Sequence, residues 1–176
     1  PPAFPAFSPT PVLSGQPPLA TTVAPLSRVP GFLRNGSSPY AAMGISNSCG
    51  TKVVSLNSLF RRPGLYEVEF GIPLRKIVEE FGGGLRDGSK LTGLIIGGPL
   101  AGVVPPEMLD PPFGFEELRA IGACVGHSVL VAFDQHTSIC QLFPLQFSFG
   151  AYDPCGQFSP CLLRPPTIQR LVAPAR

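Results

Sequence analysis

Two cysteines near the C-terminus, Cys155 and Cys161, stand in the run D-P-C-G-Q-F-S-P-C from Asp153 to Cys161. A Cys in place of Phe158 would complete C-x-x-C-x-x-C, a spacing that gathers thiolates around an iron–sulfur cluster. Phe158 offers no ligand, so two thiolates stand where a four-iron cubane takes four, and the closing stretch LLRPPTIQRLVAPAR supplies none. Tetrahedral zinc fits no better, because His127 and His136 lie well upstream. Asp134, His136 and Ser138 are too close together to be a catalytic triad, whose members converge from distant segments, and they read as a surface turn. His127, between Gly126 and a strand, reads as structural, and Cys124 beside Gly122 and Ala123 reads as a small buried residue. The loop GGPLAG from Gly97 to Gly102 follows a strand, as phosphate-binding loops do. It lacks the G-x-G-x-x-G spacing and a following Lys-Ser/Thr, and Val103, Val104, Pro105 and Pro106 come next instead of a helix, so a tight backbone turn is expected. None of these residues supports an enzyme.

The elements that would carry them centre on LYEVEFGIPLRKIVEEFGGG, Leu65 to Gly84. Tyr66, Val68 and Phe70 alternate with Glu67 and Glu69, the period of a strand buried on one face. Leu74, Ile77, Val78 and Phe81 then recur at helical spacing behind Pro73, and Gly82, Gly83 and Gly84 stop the helix. Arg75 with Glu79 and Lys76 with Glu80 form i,i+4 pairs of about 0.2–0.5 kcal/mol each, so packing and not propensity holds this helix. Lys52 to Asn57 reads as a strand joined to Leu65 through the turn Arg61 to Gly64. Strands at Leu91 to Ile96 and Ser128 to Phe133 and a short helix at Phe115 to Ile121, with Phe115, Leu118 and Ile121 on one side, complete the pattern. Two strands, a helix, then further strands around that helix make an α+β fold of β-grasp class. The expected core is Val54, Leu56, Tyr66, Val68, Phe70, Leu74, Ile77, Val78, Phe81, Leu94, Ile96 and Val131.

Composition sets the limits. The chain has 176 residues, 23 Pro, 20 Gly and a formal net charge of +2. From Pro1 to Pro39 repeated Pro removes backbone donors before any periodicity builds up, so no packed fold is expected there and order should begin near Thr51. Such a Pro-rich segment reads as an unstructured tail, with an aromatic-groove domain as the partner it would otherwise fit. No Lys/Arg cluster is present to neutralise phosphates, which argues against nucleic acid. No apolar run reaches the roughly 20 residues of a membrane span, so no membrane insertion is expected. Five Cys at scattered spacing suggest reduced thiols or a partial metal site, in a cytoplasmic protein. A chain that opens on Pro1 is expected to be a fragment or a processed product.

The runs GTKVVSLN, RRPGLYEVEFG, LRKIVEEFGGG, IIGGPLAG, DPPFGFEELRAIGA, VAFDQHTSI and FGAYDPCGQFSPC, over roughly Gly36 to Cys161, resemble a known family in order and spacing. It is the C-terminal half of the NADH-oxidising flavoprotein subunit shared by NADH-quinone oxidoreductase, NAD-dependent formate dehydrogenase and NAD-linked hydrogenase. The GGPLAG and FEELRAIGA runs are most similar to the formate dehydrogenase branch. The resemblance implies a β-grasp domain of the soluble ligand-binding type (SLBB), followed by a helical domain whose E-S-C-G-K-C-T-P-C-R motif holds a 4Fe-4S cluster fed by flavin mononucleotide (FMN) reduced by NADH. It places Cys155 and Cys161 at the first and third metal-ligand positions and Phe158 at the second, with the fourth expected beyond the chain's end. The Pro-rich segment stands where the family has its glycine-rich flavin and NADH loop, and Pro144 falls where the family has a helix. His127, Ser128, Val129 and Leu130 replace a Gly-rich turn. The implied layout is a Pro-rich disordered tail at 1–47, a β-grasp domain at 48–135 and a truncated, degenerate iron–sulfur segment at 136–176. The implied function is electron transfer in complex with other subunits of an NADH-linked oxidoreductase, with no activity alone. The alternative is a non-catalytic β-grasp interaction module packing on partner subunits.

Overall fold

Apolar spacing decides where the main elements fall, and long-range pairing decides how they assemble. The computed structural model describes residues 22–99 and 101–152. In chain order it contains α1 (Val23–Asn35), α2 (Ser38–Ala41), β1 (Gly44–Ile45), β2 (Ser48–Cys49), β3 (Thr51–Leu56), β4 (Gly64–Glu69), α3 (Leu74–Lys76) running into a π-helical turn (Ile77–Phe81), β5 (Leu91–Ile96), β6 (Val103–Val104), α4 (Phe115–Ala120), β7 (Val129–Asp134) and α5 (Ile139–Tyr152). The chain divides between Pro39 and Tyr40 into two units.

In the first unit, the Pro load does not prevent regular structure, contrary to the expectation that order begins near Thr51. Residues of α1 form a helix although Pro30 lies inside it, and Gly36 at φ 75° ends it by donating its N–H to Phe32 O at 2.9 Å. Pro25 falls in the first turn, where N–H groups have no helical partner to lose. No residue of this helix is buried.

The second unit is built on a five-stranded mixed sheet of order β4-β3-β7-β5-β6. β3 and β4 form the expected hairpin, antiparallel from Thr51↔Glu69 to Leu56↔Gly64. β7 inserts parallel to β3 and antiparallel to β5, so the last strand lies at the centre of the sheet. Side chains alternate across it. Val54, Leu56, Val68, Leu94, Ile96, Leu130 and Ala132 face one core together with Phe70, Leu74, Ile77 and Val78, while Tyr66 and Phe81 are half-buried at its margin and meet edge to face at 5.7 Å. Val131 is a correction to the expected core. The period of two in β7 gives the core side to Leu130 and Ala132 and turns Val131 to the opposite face, where it is half-buried.

The segment after Pro73 departs from a regular α-helix. Only Leu74–Lys76 is α-helical, and from Ile77 the turn widens, with Gly82 N–H donating to Ile77 O at 3.0 Å and Gly84 N–H to Val78 O at 3.0 Å. The wide turn keeps Leu74, Ile77 and Val78 buried, as their spacing predicted. Arg75 and Lys76 pair with Glu79 and Glu80 at 3.5 Å each, and Arg75 also reaches Asp110 at 2.7 Å. The Arg75 hydrogen bond and charge hold the Asp110 carboxyl below the usual carboxylate range. α4 forms as expected, with Leu118 fully buried and Ile121 packed on the core, but Phe115 stays 53% exposed and tilts against Phe70 at 5.3 Å.

Candidate functional site

Cys124, His127 and Ser128 lie with the glycine loop at one end of β5 and β7, and Asp134 and His136 lie at the other. Gly97, at φ 90°, sits against the turn before β7. A Cβ there would lie 2.3 Å from Cys124 O, and one on Gly126 would lie 2.2 Å from Gly97 O. The two backbones can approach this closely because neither position carries a side chain. Gly97 N–H donates to Val129 O at 2.9 Å and Gly97 O accepts from His127 N–H at 2.9 Å, while Ala101 N–H closes a turn onto Gly98 O at 3.2 Å. The loop makes the tight backbone turn that its spacing predicted, and Gly97 latches it to the turn before β7. Gly97→Ala should destabilise the protein by about 1–3 kcal/mol from the left-handed conformation alone, with the backbone clash added. Denaturant titration of the purified variant reads this, and an unchanged midpoint would contradict the latch.

Cys124 is a second correction. The expected small buried residue is exposed: only its carbonyl oxygen packs against Gly97, while neighbouring Ala123 and Val125 take the buried positions. Its thiol borders a cleft of about 270 Å³ with Glu116, Arg119 and Gly126. Ser128, at φ 60°, is fully buried, and its hydroxyl has no hydrogen-bond partner among the described residues, a feature that sequence periodicity did not signal.

Asp134, His136 and Ser138 form the expected turn and no triad. Asp134 accepts from Ser89 Oγ at 3.1 Å, from the His136 N–H at 3.1 Å and from Thr137 Oγ1 at 3.0 Å. Burial pushes the Asp134 carboxyl up, but the Thr137, Ser89 and His136 hydrogen bonds outweigh it and hold the group below its ordinary value. A depressed folded value means stability that is present above the unfolded carboxylate range and lost as pH falls through the folded one. Asp134→Asn should therefore melt below the unmodified protein near neutral pH, with the gap closing as pH drops below the ordinary carboxylate range. Melting curves across acid pH test this, and a gap independent of pH would contradict it.

On the sheet face opposite the core, Ile95, Val129 and Val131 oppose Leu142, Leu145, Gln146 and Phe149 of α5 across a mainly apolar cleft of about 550 Å³, with His127 at its rim. His127 is exposed and makes the latch through its backbone, in keeping with a structural reading. α5 runs through Pro144, whose missing N–H leaves Cys140 O without its usual helical donor. Ile139, Phe143, Leu145 and Phe149 on this helix are exposed.

Across the cleft that Cys124 borders, the N-terminus of α4 is tied to the β1–β2 hairpin. Ser48, fully buried, accepts from the Phe115 N–H at 2.9 Å and donates to Glu116 Oε2 at 3.3 Å, and Asn47 Nδ2 donates to Glu116 Oε1 at 3.3 Å. This cap comes from a segment 67 residues away, so no local capping pattern announced it.

The proposed metal ligands Cys155 and Cys161, with Phe158 between them, lie outside the described residues. Among the described residues, Cys49, Cys124 and Cys140 are free and exposed, and no group of three His, Cys, Asp or Glu side chains could hold a metal ion. The donor set of the motif itself, two thiolates and a phenyl ring, does not fit a four-thiolate iron–sulfur cluster. Among the described residues no helix is long and apolar enough to cross a membrane.

No family model matches the chain. Individual relatives do. The second F-type subunit of the NADH-quinone oxidoreductase of Rhizobium meliloti is 34% identical over 160 residues, which is 91% of this chain and 37% of that protein. The F-type subunit of the Escherichia coli enzyme is 32% identical over 160 residues, 91% of this chain and 35% of its own length. Its Rickettsia typhi counterpart is 32% identical over 150 residues, covering 85% and 36%. The chain thus spans little more than a third of the curated relatives it matches. The fold is similar to an NAD+-reducing NiFe-hydrogenase in its air-oxidized state, with a TM-score of 0.75 at 24% identity over 98% of this chain and 29% of that one. In the H2-reduced state the TM-score is 0.70 at 25% identity, covering 98% and 28%. Over most of its length the chain is homologous to part of the F-type subunit of NADH-quinone oxidoreductase.

Proposed function

We propose that this chain is a structural segment of an NADH-linked electron-transfer protein, nearest the formate dehydrogenase branch, that works only within a larger complex of cytoplasmic subunits. The observation that carries this reading is the alignment of 160 residues with an F-type subunit of NADH-quinone oxidoreductase at 34% identity. In this reading residues 48–135 are a β-grasp domain of the SLBB type, a rigid platform from which α5 leads into the cysteine motif of residues 136–176. The sheet order, with the last strand central and parallel to the first strand of the hairpin, supports the β-grasp assignment. In the intact family, bound FMN and a 4Fe-4S cluster would supply the redox chemistry for electrons from NADH. The residues of this chain do not fit that cluster, and the Pro-rich 1–47 stands where the flavin and NADH loop would be.

The isolated protein therefore neither binds FMN nor oxidises NADH. Purified protein mixed with FMN, NADH and an artificial electron acceptor should show no flavin-dependent turnover, and turnover that depends on added FMN would overturn the reading. A second reading, a non-catalytic interaction module packing on partner subunits, is favoured by the exposed apolar side chains of α5 and by Phe158 in a ligand position. Co-purification with a partner protein of the complex after Phe158 and both cysteines are replaced by Ala would support the module over the electron carrier.

A further inference from the structure

Three exposed arginines around one bridge have no use in the site described above. Phe60 and Leu85 form an antiparallel bridge with both side chains buried. Residues flanking an inward-facing pair point outward, which puts Arg61 and Arg86 on the outer side of this bridge, where both are exposed. Arg61 N–H donates to Gly84 O at 3.0 Å and Arg86 N–H to Leu59 O at 3.0 Å, so the two segments are backbone-locked. The side chains are held as well. Arg61 Nε donates to Leu85 O at 3.0 Å, Arg86 Nε to Phe60 O at 3.0 Å, and Arg62 Nη2 to Glu80 O. Arg62 lies over Gly83, where a Cβ would come within 2.9 Å of its Nε.

All three guanidinium groups thus lie along residues 80–86, fixed to backbone carbonyls and with N–H donors left over. None has a carboxylate within ion-pair distance among the described residues, because the nearby Glu79 and Glu80 pair with Arg75 and Lys76. Arginines already held in place lose little side-chain entropy when they bind a carboxylate, and their forks match carboxylates in pairs.

We infer that Arg61, Arg62 and Arg86 form a docking surface for an acidic segment of a partner protein. A polypeptide bearing several carboxylates suits this face better than a single small anion. On an exposed surface each ion pair is weak, and affinity comes from engaging several at once. The inference does not depend on the electron-transfer reading.

The test uses the full chain and a fluorescently labelled hexaglutamate peptide, with binding read by polarisation. The unmodified protein should bind in low salt and weaken as salt rises from about 20 to about 200 mM. Arg61→Gln/Arg62→Gln/Arg86→Gln should bind about tenfold more weakly. Lys52→Gln/Lys90→Gln/Arg119→Gln, with the same change in net charge, should bind as the unmodified protein does. A triple Arg→Lys variant keeps the charge but loses the fixed forks, should bind more weakly than the unmodified protein and more tightly than the first Gln variant, and serves if the Gln variant fails to fold. No binding by the unmodified protein, equal loss in both Gln variants, loss in the Lys variant equal to that in the first Gln variant, or displacement by inorganic phosphate at equal charge would overturn the inference.

Discussion

Phe113→Ala is expected to lower the free energy of unfolding by about 3–5 kcal/mol. Phe113 is fully buried and stacks on Phe70, with ring centroids 5.6 Å apart and planes 10° from parallel. Its backbone is locked at the same place, donating to Ile72 O at 2.7 Å and accepting from Gly71 N–H at 2.9 Å. These contacts seat the loop that precedes α4 beneath the start of α3, where Leu74 N–H reaches Pro111 O at 3.2 Å. Truncation removes the ring and leaves a cavity whose walls, Leu74 and Leu118 among them, are held by their own elements and cannot collapse freely. Urea denaturation with an unchanged slope would measure the loss directly. A cost under about 1 kcal/mol would mean that the loop does not pack as described.

Phe113 also marks where the sequence stops being readable. In D-P-P-F-G-F it follows two prolines and precedes a glycine, so neither a period of two nor one of 3.6 flags it as core. Phe60, between a strand and a turn, escapes for the same reason. By contrast β3, β4, β5 and β7 all lie within a residue or two of their expected positions, because β4 alternates apolar and charged residues and the others are short runs rich in apolar and β-branched residues, and both signals are local. The buried face of Leu74, Ile77 and Val78 was legible, but the wide turn that follows was not, since a π-turn moves that face little. Val131 fails differently. In β7 every residue from Val129 to Phe133 is apolar, and only the pairing with β3 and β5 decides which of them face the core. Helix α1 was hidden by a rule applied too broadly, because Pro25 falls in a first turn that tolerates it.

At the cysteine motif the reading came from spacing, and the deciding residue is Phe158. Replacing it with Cys should raise iron retention several-fold without reaching full occupancy. Three thiolates at C-x-x-C-x-x-C spacing can hold a cluster corner by corner, whereas two leave irons open to water or exogenous ligands. Cys140 is not a ready substitute. It is exposed on α5 ahead of Pro144, and it matches none of the family's ligand positions. The change adds one thiol to the motif and alters none of the core residues described above.

The account of this chain as a segment whose cluster site has lapsed is tested most directly by anaerobic reconstitution with iron and sulfide. Iron and acid-labile sulfide per chain, with the visible absorption band, are then measured for the unmodified protein and for Phe158→Cys. The account predicts little iron and no stable band in the unmodified protein, and a clear rise in both for the variant. Four irons per chain in the unmodified protein, with a matching sulfide content and a stable band, would contradict it and restore the chain to the electron-carrying members of its family.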